Sequence, residues 1–135
     1  YRKQAKDYRL KNVKFLDTTS DIGKIHKFLN TLNVYAHGRS DGEQCSSSII
    51  EGMSHSLPMI SHTAPSMGQR EQIGNAGKVV EGYEDYANEM NKLMHDKDYY
   101  IQCMNNSGKR YEEIYNVSSI INKFIKLYRE VRNQK

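Results

Sequence analysis

The chain has 135 residues, 37% of them hydrophobic and 27% charged, which is typical of one globular domain that buries its own core. Its two cysteines, Cys45 and Cys103, are too few and too far apart for a disulfide framework or a zinc site. They favour a reducing, cytoplasmic environment. No apolar run approaches the roughly 20 residues needed to span a bilayer.

The net charge of +4 is concentrated at the two ends of the chain. Residues 1–14 hold six Lys or Arg against one acid, residues 108–135 hold seven against three, and the middle holds seven against twelve. Basic ends are typical of solvated terminal helices or of peripheral contact with an anionic membrane. Because the aromatic–basic alternation of an RNA-binding platform is absent, we expect no nucleic-acid partner.

The predicted elements alternate between strands and helices in chain order. Asp21 is predicted to cap a helix whose apolar residues recur at helical spacing up to Leu32. Another helix begins near Ser46 or Ser47, and three more follow from Tyr86 onward. The apolar stripes of these last helices are expected to form core or a domain interface. Strands are predicted at residues 13–16, 34–37, 57–61 and 78–80.

This alternation predicts an α/β fold, a Rossmann-like parallel sheet with helices on both faces. We interpret residues 1–135 as a single domain. Because the first residues look like the middle of a helix, the domain is expected to be truncated at its N-terminal side.

Two carboxylates, Glu43 and Glu51, mark the candidate site. Ligands of such sheets bind outside the carboxyl ends of the strands, and Glu43 lies in the loop that follows the strand ending at His37. Glu51 lies one to two turns inside the next helix, whose N-terminal N–H groups suit a phosphate. A carboxylate accepts hydrogen bonds from vicinal hydroxyls, so the pair predicts a polyol that carries phosphate. Ordinary surface acids are the alternative.

The surrounding motifs resemble one enzyme family. Residues 43–51 form a Glu–seven residues–Glu motif, and a Leu-Pro-Met-Ile strand follows at residues 57–60. Residues 67–73 are similar to a glycine loop leading to a Glu, and residues 75–77 form an Asn-Ala-Gly turn. Together they resemble the C-terminal, donor-binding half of GT-B fold retaining glycosyltransferases, family 4 (glycosyl transferases group 1).

The resemblance implies a nucleotide-sugar donor site. Glu43 would be the catalytic residue in contact with the transferred sugar, and Glu51 would bind the ribose. Backbone amides of residues 44–47 would face the diphosphate or sugar. The family usually reads Glu-Gly-Phe-Gly-Leu at residues 43–47, so two glycines are replaced here. The implied donor-binding set is Glu43, Gln44, Cys45, Ser46, Ser47 and Glu51.

The resemblance also implies partners. The donor would be a nucleotide-diphosphate sugar, with no metal or other cofactor. A carbohydrate, lipid or protein acceptor would be held by an N-terminal domain of a longer chain, so we expect the isolated piece to be inactive. The alternative is a non-catalytic nucleotide- or phosphosugar-binding module.

Overall fold

The computed structural model describes residues 1–38, 44–63 and 68–133, and within them three parallel strands form one sheet. The strand order is β1-β2-β3, with Tyr35 opposite Met59 and Met59 opposite Gly77. Because the strands are parallel, their carboxyl ends share one edge of the sheet. The strands are β1 (Tyr35–His37), β2 (Met59–His62) and β3 (Gly77–Val80).

Helices connect and flank the strands. A π-helical turn separates the last two α-helices, and in it the Asn116 N–H donates to the Tyr111 carbonyl oxygen at 2.8 Å. The helices are α1 (Arg2–Asp7), α2 (Ile22–Leu29), α3 (Ser47–Ser54), α4 (Gly68–Ile73), α5 (Gly82–His95), α6 (Lys97–Arg110), the π-helix (Tyr111–Tyr115) and α7 (Val117–Asn133).

Helices cover both faces of the sheet, as predicted. Side chains alternate along a strand, so Met59 and His62 point to opposite faces. Met59 joins the core cluster with residues of α3 and α4, while His62 stacks on Tyr86 of α5 with ring centroids 4.5 Å apart. The buried core cluster consists of Leu29, Ile49, Met53, Leu57, Met59, Ile73 and Ala76.

The predicted strand at residues 13–16 is wrong. No strand forms there, and Val13, Phe15 and Leu16 are 45%, 36% and 52% exposed. A strand needs a partner for its backbone N–H and C=O groups, and no described strand lies beside this segment. Phe15 instead lies under the guanidinium of Arg2, 5.2 Å from the ring centroid.

The predicted helix starts are confirmed. The Asp21 carboxylate accepts a hydrogen bond from the Lys24 N–H at 3.1 Å and caps α2. Helix α3 begins at Ser47, with Ser46 in the cap position. The Ser46 side chain does not bond a helix N–H; its Oγ pairs with the Ser48 Oγ at 2.9 Å.

Helix α7 contributes no buried residue, so its apolar stripe does not belong to the core of this chain. Phe124 is 55% exposed and Val131 is 52% exposed. A domain interface remains the prediction for this stripe.

Candidate functional site

The loop after β1 opens onto a cavity of about 300 Å³. Gln44 and Cys45, both exposed, line one wall of it. Glu43 lies outside the described residues. Two residues of the predicted donor set therefore meet α4 and the π-helix. The remaining lining residues are Gly68, Glu71, Gln72, Arg110, Ile114 and Tyr115.

The other predicted donor residues divide between a buried position and a helix surface. Ser46 is buried, with 2% of its surface exposed. Ser47 and Glu51 are exposed and stand four residues apart on α3, so they share one face of that helix. Glu51 is not among the residues that line the cavity. The donor-binding roles of Ser46, Ser47 and Glu51 stay predictions.

Serine at residue 46, where the family usually has glycine, does not strain the backbone. Ser46 has φ −92° and ψ 120°, an extended conformation open to any residue. In the described part of the chain only Arg9 and Ser56 among non-glycine residues have positive φ. Ser46 therefore needs none of the conformational freedom of the glycine that it replaces.

Gln72 of α4 binds the backbone of Ser46, directly before α3. The Ser46 N–H donates to Gln72 Oε1 at 2.9 Å, and Gln72 Nε2 donates to the Ser46 carbonyl oxygen at 2.7 Å. The same Nε2 lies 3.7 Å from Cys45 Sγ. Gln72 is only 3% exposed, so water competes little for these bonds.

Gln72 is fixed in turn by the chain beyond α6. Its backbone carbonyl accepts from Arg110 Nε at 2.8 Å and from the Tyr115 hydroxyl at 3.3 Å. Arg110 also donates to the Glu71 carbonyl oxygen. These donors satisfy carbonyls at the end of α4 that have no helical partner. Burial raises the pKa of Tyr115, with Arg110 opposing the rise.

The sequence did not single out Gln72, Arg110 or Tyr115. One signal was available for Gln72, because it precedes the apolar Ile73 in a short helix and lies three residues after Gln69. Two side-chain amides at helical spacing beside a core residue indicate buried polar groups that need hydrogen-bond partners. Arg110 and Tyr115 reach the site only through the folded chain.

A larger cavity, about 430 Å³, lies along β3 and α5. Glu89 lines it, and this buried carboxylate accepts from the Tyr99 hydroxyl at 2.5 Å and lies 3.8 Å from Lys78 Nζ. Burial and the bond to Glu89 raise the pKa of Tyr99. Tyr99 of α6 and Lys78 of β3 are therefore the partners of Glu89, and these contacts join α5 to its neighbours.

His55, which precedes β2, and His62, the last residue of β2, make different contacts. His55 Nε2 lies 2.7 Å from His26 Nδ1, and His55 Nδ1 lies 2.8 Å from Asn30 Oδ1. His62 stacks on Tyr86 instead. Within residues 1–38, 44–63 and 68–133, no three His, Cys, Asp or Glu side chains are grouped so that they could hold a metal ion.

Comparison with known proteins decides the family. The model of the family "Glycosyl transferases group 1" matches residues 1–110. The chain belongs to this family. The crystal structure of Anabaena HepE in complex with UDP-glucose is similar, with 19% identity and a TM-score of 0.75. The alignment covers 96% of this chain and 35% of HepE, so this chain spans about a third of that protein. Comparison with curated proteins gives no significant match.

These findings confirm the predicted family and fold class, a Rossmann-like α/β domain of the kind that forms the C-terminal half of a GT-B fold. Among the helices described for this glycosyltransferase domain, none is long and apolar enough to cross a membrane.

Proposed function

We propose that this glycosyltransferase domain binds the nucleotide-diphosphate sugar donor of a retaining transferase. The observation that carries the proposal is the start of α3 after the loop that follows β1, with Ser47 and Glu51 on one exposed face. This is the ligand-binding edge of an open parallel sheet. HepE, the similar protein, was crystallised with UDP-glucose, which makes that compound the first probe.

The start of α3 suits a diphosphate. The N–H groups of Ser47 and Ser48 have no acceptor inside the helix, and they carry the partial positive charge of the helix dipole. Anions bind at such positions. The proposed site therefore neutralises the leaving diphosphate with protein groups and needs no metal.

Glu51 is proposed to bind the ribose. It lies one turn beyond Ser47, so a nucleoside attached to a diphosphate at the helix start reaches its carboxylate. Two vicinal hydroxyls donate to one carboxylate, which fixes the nucleotide in one register. Glu43 is proposed as the catalytic residue that contacts the transferred sugar. Gln44 and Cys45, the next two residues, are proposed to bind the donor beside it.

Transfer itself is proposed to need a second domain in a longer chain. The bond from the anomeric carbon to the diphosphate breaks, the hydroxyl oxygen of a carbohydrate, lipid or protein acceptor bonds on the same face, and the hydroxyl proton passes to the departing diphosphate. We propose that the N-terminal domain which holds the acceptor packs on the exposed apolar face of α7, in the cytoplasm. A peripheral membrane contact is the alternative use of that face, because Lys123 and Arg129 give the helix a basic flank.

Titration calorimetry with UDP-, GDP- and ADP-sugars tests donor binding. We expect Glu51→Ala to weaken binding by about tenfold or more, because the hydroxyls of the nucleotide lose a charged acceptor. Glu43→Ala is expected to weaken binding less, since Glu43 contacts only the sugar. Glu84→Ala, an exposed acid in the first turn of α5, is the matched control and should bind as the wild type does.

Equal affinity in all four proteins would remove the ribose assignment. Absence of binding to any nucleotide sugar, in this chain and in a longer one, would reject the donor site. Binding without transfer or donor hydrolysis in the longer chain would favour the non-catalytic module.

A further inference from the structure

We infer that Gln72 is the positioning residue of the donor site, and that it acts by holding the 44–47 segment through Ser46. The inference rests on the proposed function. It concerns a residue that lies outside the predicted donor set and hydrogen-bonds the backbone of Ser46, with its Nε2 also 3.7 Å from Cys45 Sγ.

The two hydrogen bonds to Ser46 constrain the peptide units on both sides of that residue. The Ser46 N–H belongs to the peptide unit shared with Cys45, and the Ser46 carbonyl to the unit shared with Ser47. One amide side chain therefore orients both units. The Ser47 N–H, which is expected to face the diphosphate, belongs to the second of these units.

The position matters because the segment lacks the glycines that the family usually carries. Glycines allow a ligand to approach the backbone closely, whereas Gln44 and Ser46 carry side chains at the two positions where the family usually has glycine. A loop with side chains admits a donor only in conformations that turn them aside. Gln72 holds the Ser46 backbone in one conformation, and Arg110 and Tyr115 hold the carbonyl of Gln72 in place.

Amide hydrogen exchange of Ser46, measured by NMR, reads the constraint without any ligand. The acceptor of this N–H is Gln72 Oε1. We expect Gln72→Met, which keeps the side-chain length and removes both bonds, to speed the exchange of Ser46 by about tenfold or more. Gln69→Met is the matched control, because Gln69 is 1% exposed in the same helix and its side-chain amide has no partner among the described residues. It should leave the exchange of Ser46 unchanged.

Calorimetry with UDP-glucose on the same proteins connects the constraint to the donor. We expect Gln72→Met to weaken binding about tenfold while the far-UV spectrum and cooperative unfolding are retained. Should this variant fail to fold, Gln72→Asn replaces it. The shorter amide cannot reach the Ser46 N–H and the Ser46 carbonyl together, so the exchange of Ser46 should be faster and binding should weaken.

The outcomes separate the two claims. Unchanged exchange of Ser46 in the folded variant overturns the inference. Faster exchange with unchanged UDP-glucose affinity also overturns it, because the loop would then not need to be held. If the wild type binds no nucleotide sugar, the donor function fails while the exchange data still decide whether Gln72 constrains the segment.

Discussion

At the scale of single residues, the strictest requirement in the sheet is at Gly77. A β-carbon built there would lie only 1.7 Å from the backbone carbonyl oxygen of Met59, the residue opposite it in the register. The sequence turn Asn75-Ala76-Gly77 is therefore a packing requirement as well as a family motif. A side chain at residue 77 would push β3 away from β2.

We expect Gly77→Ala to lower the free energy of unfolding by about 2 kcal/mol or more, because the backbone itself must shift. Chemical denaturation monitored by circular dichroism measures this. Gly38→Ala is the control, since a β-carbon at residue 38 meets no atom of the described residues within 4 Å. Equal stability of the two variants would contradict the assigned register.

At the scale of elements, α2 is attached to the end of α3 by a histidine pair. His26 of α2 and His55, just after α3, share a hydrogen bond, and Asn30 holds the other nitrogen of His55. Desolvation lowers the pKa of His55 below its usual 6.5, and the neighbouring His26 lowers it further. Protonation therefore opposes the contact between the two elements.

The sign of the pH dependence follows from this direction. The unfolded chain binds the His55 proton at a higher pH than the folded chain does, so the free energy of unfolding decreases as pH falls below about 6.5. Denaturation between pH 8 and pH 5 should show the decrease, and His55→Asn should reduce its slope. His95→Asn replaces an exposed histidine of α5, and this variant is expected to keep the wild-type slope. Identical slopes in all three proteins would exclude a role for His55.

At the scale of the whole molecule, the buried core and α7 are separate. The core cluster draws on α2, α3, α4 and the strands, whereas no residue of α7 is buried. The hydrogen bonds that join α7 to the preceding turn involve exposed side chains, such as that of Ser119 to the Glu112 carbonyl. The fold of the remaining chain should therefore not depend on this helix.

Ending the chain after Asn116 is expected to lower Tm by less than about 5 °C, because little apolar area leaves the core. Differential scanning calorimetry with comparison of near-UV spectra measures the change. Loss of cooperative unfolding in the shortened chain would show that α7 is part of the core after all.

Sedimentation with vesicles containing anionic lipid distinguishes the two proposed uses of α7. If its apolar face serves a protein domain, the intact 135-residue chain and the shortened chain should sediment equally little. If the intact chain sediments with the vesicles and the shortened chain does not, the membrane contact is favoured instead.

The sequence by itself determined the parallel α/β fold, the start of α3 and the family. These follow from local patterns, since apolar spacing, the Asp21 cap and the motifs at residues 43–51 and 75–77 are each read within a few residues. It misplaced a strand at residues 13–16, because an apolar run shows β propensity without showing whether a partner strand exists. Only the tertiary structure decided that Ser46 is held by Gln72, 26 residues away, and Gln72 by Arg110, a further 38 residues on. Such long-range hydrogen bonds leave no periodic signal, because the positions they join are set by how the helices pack.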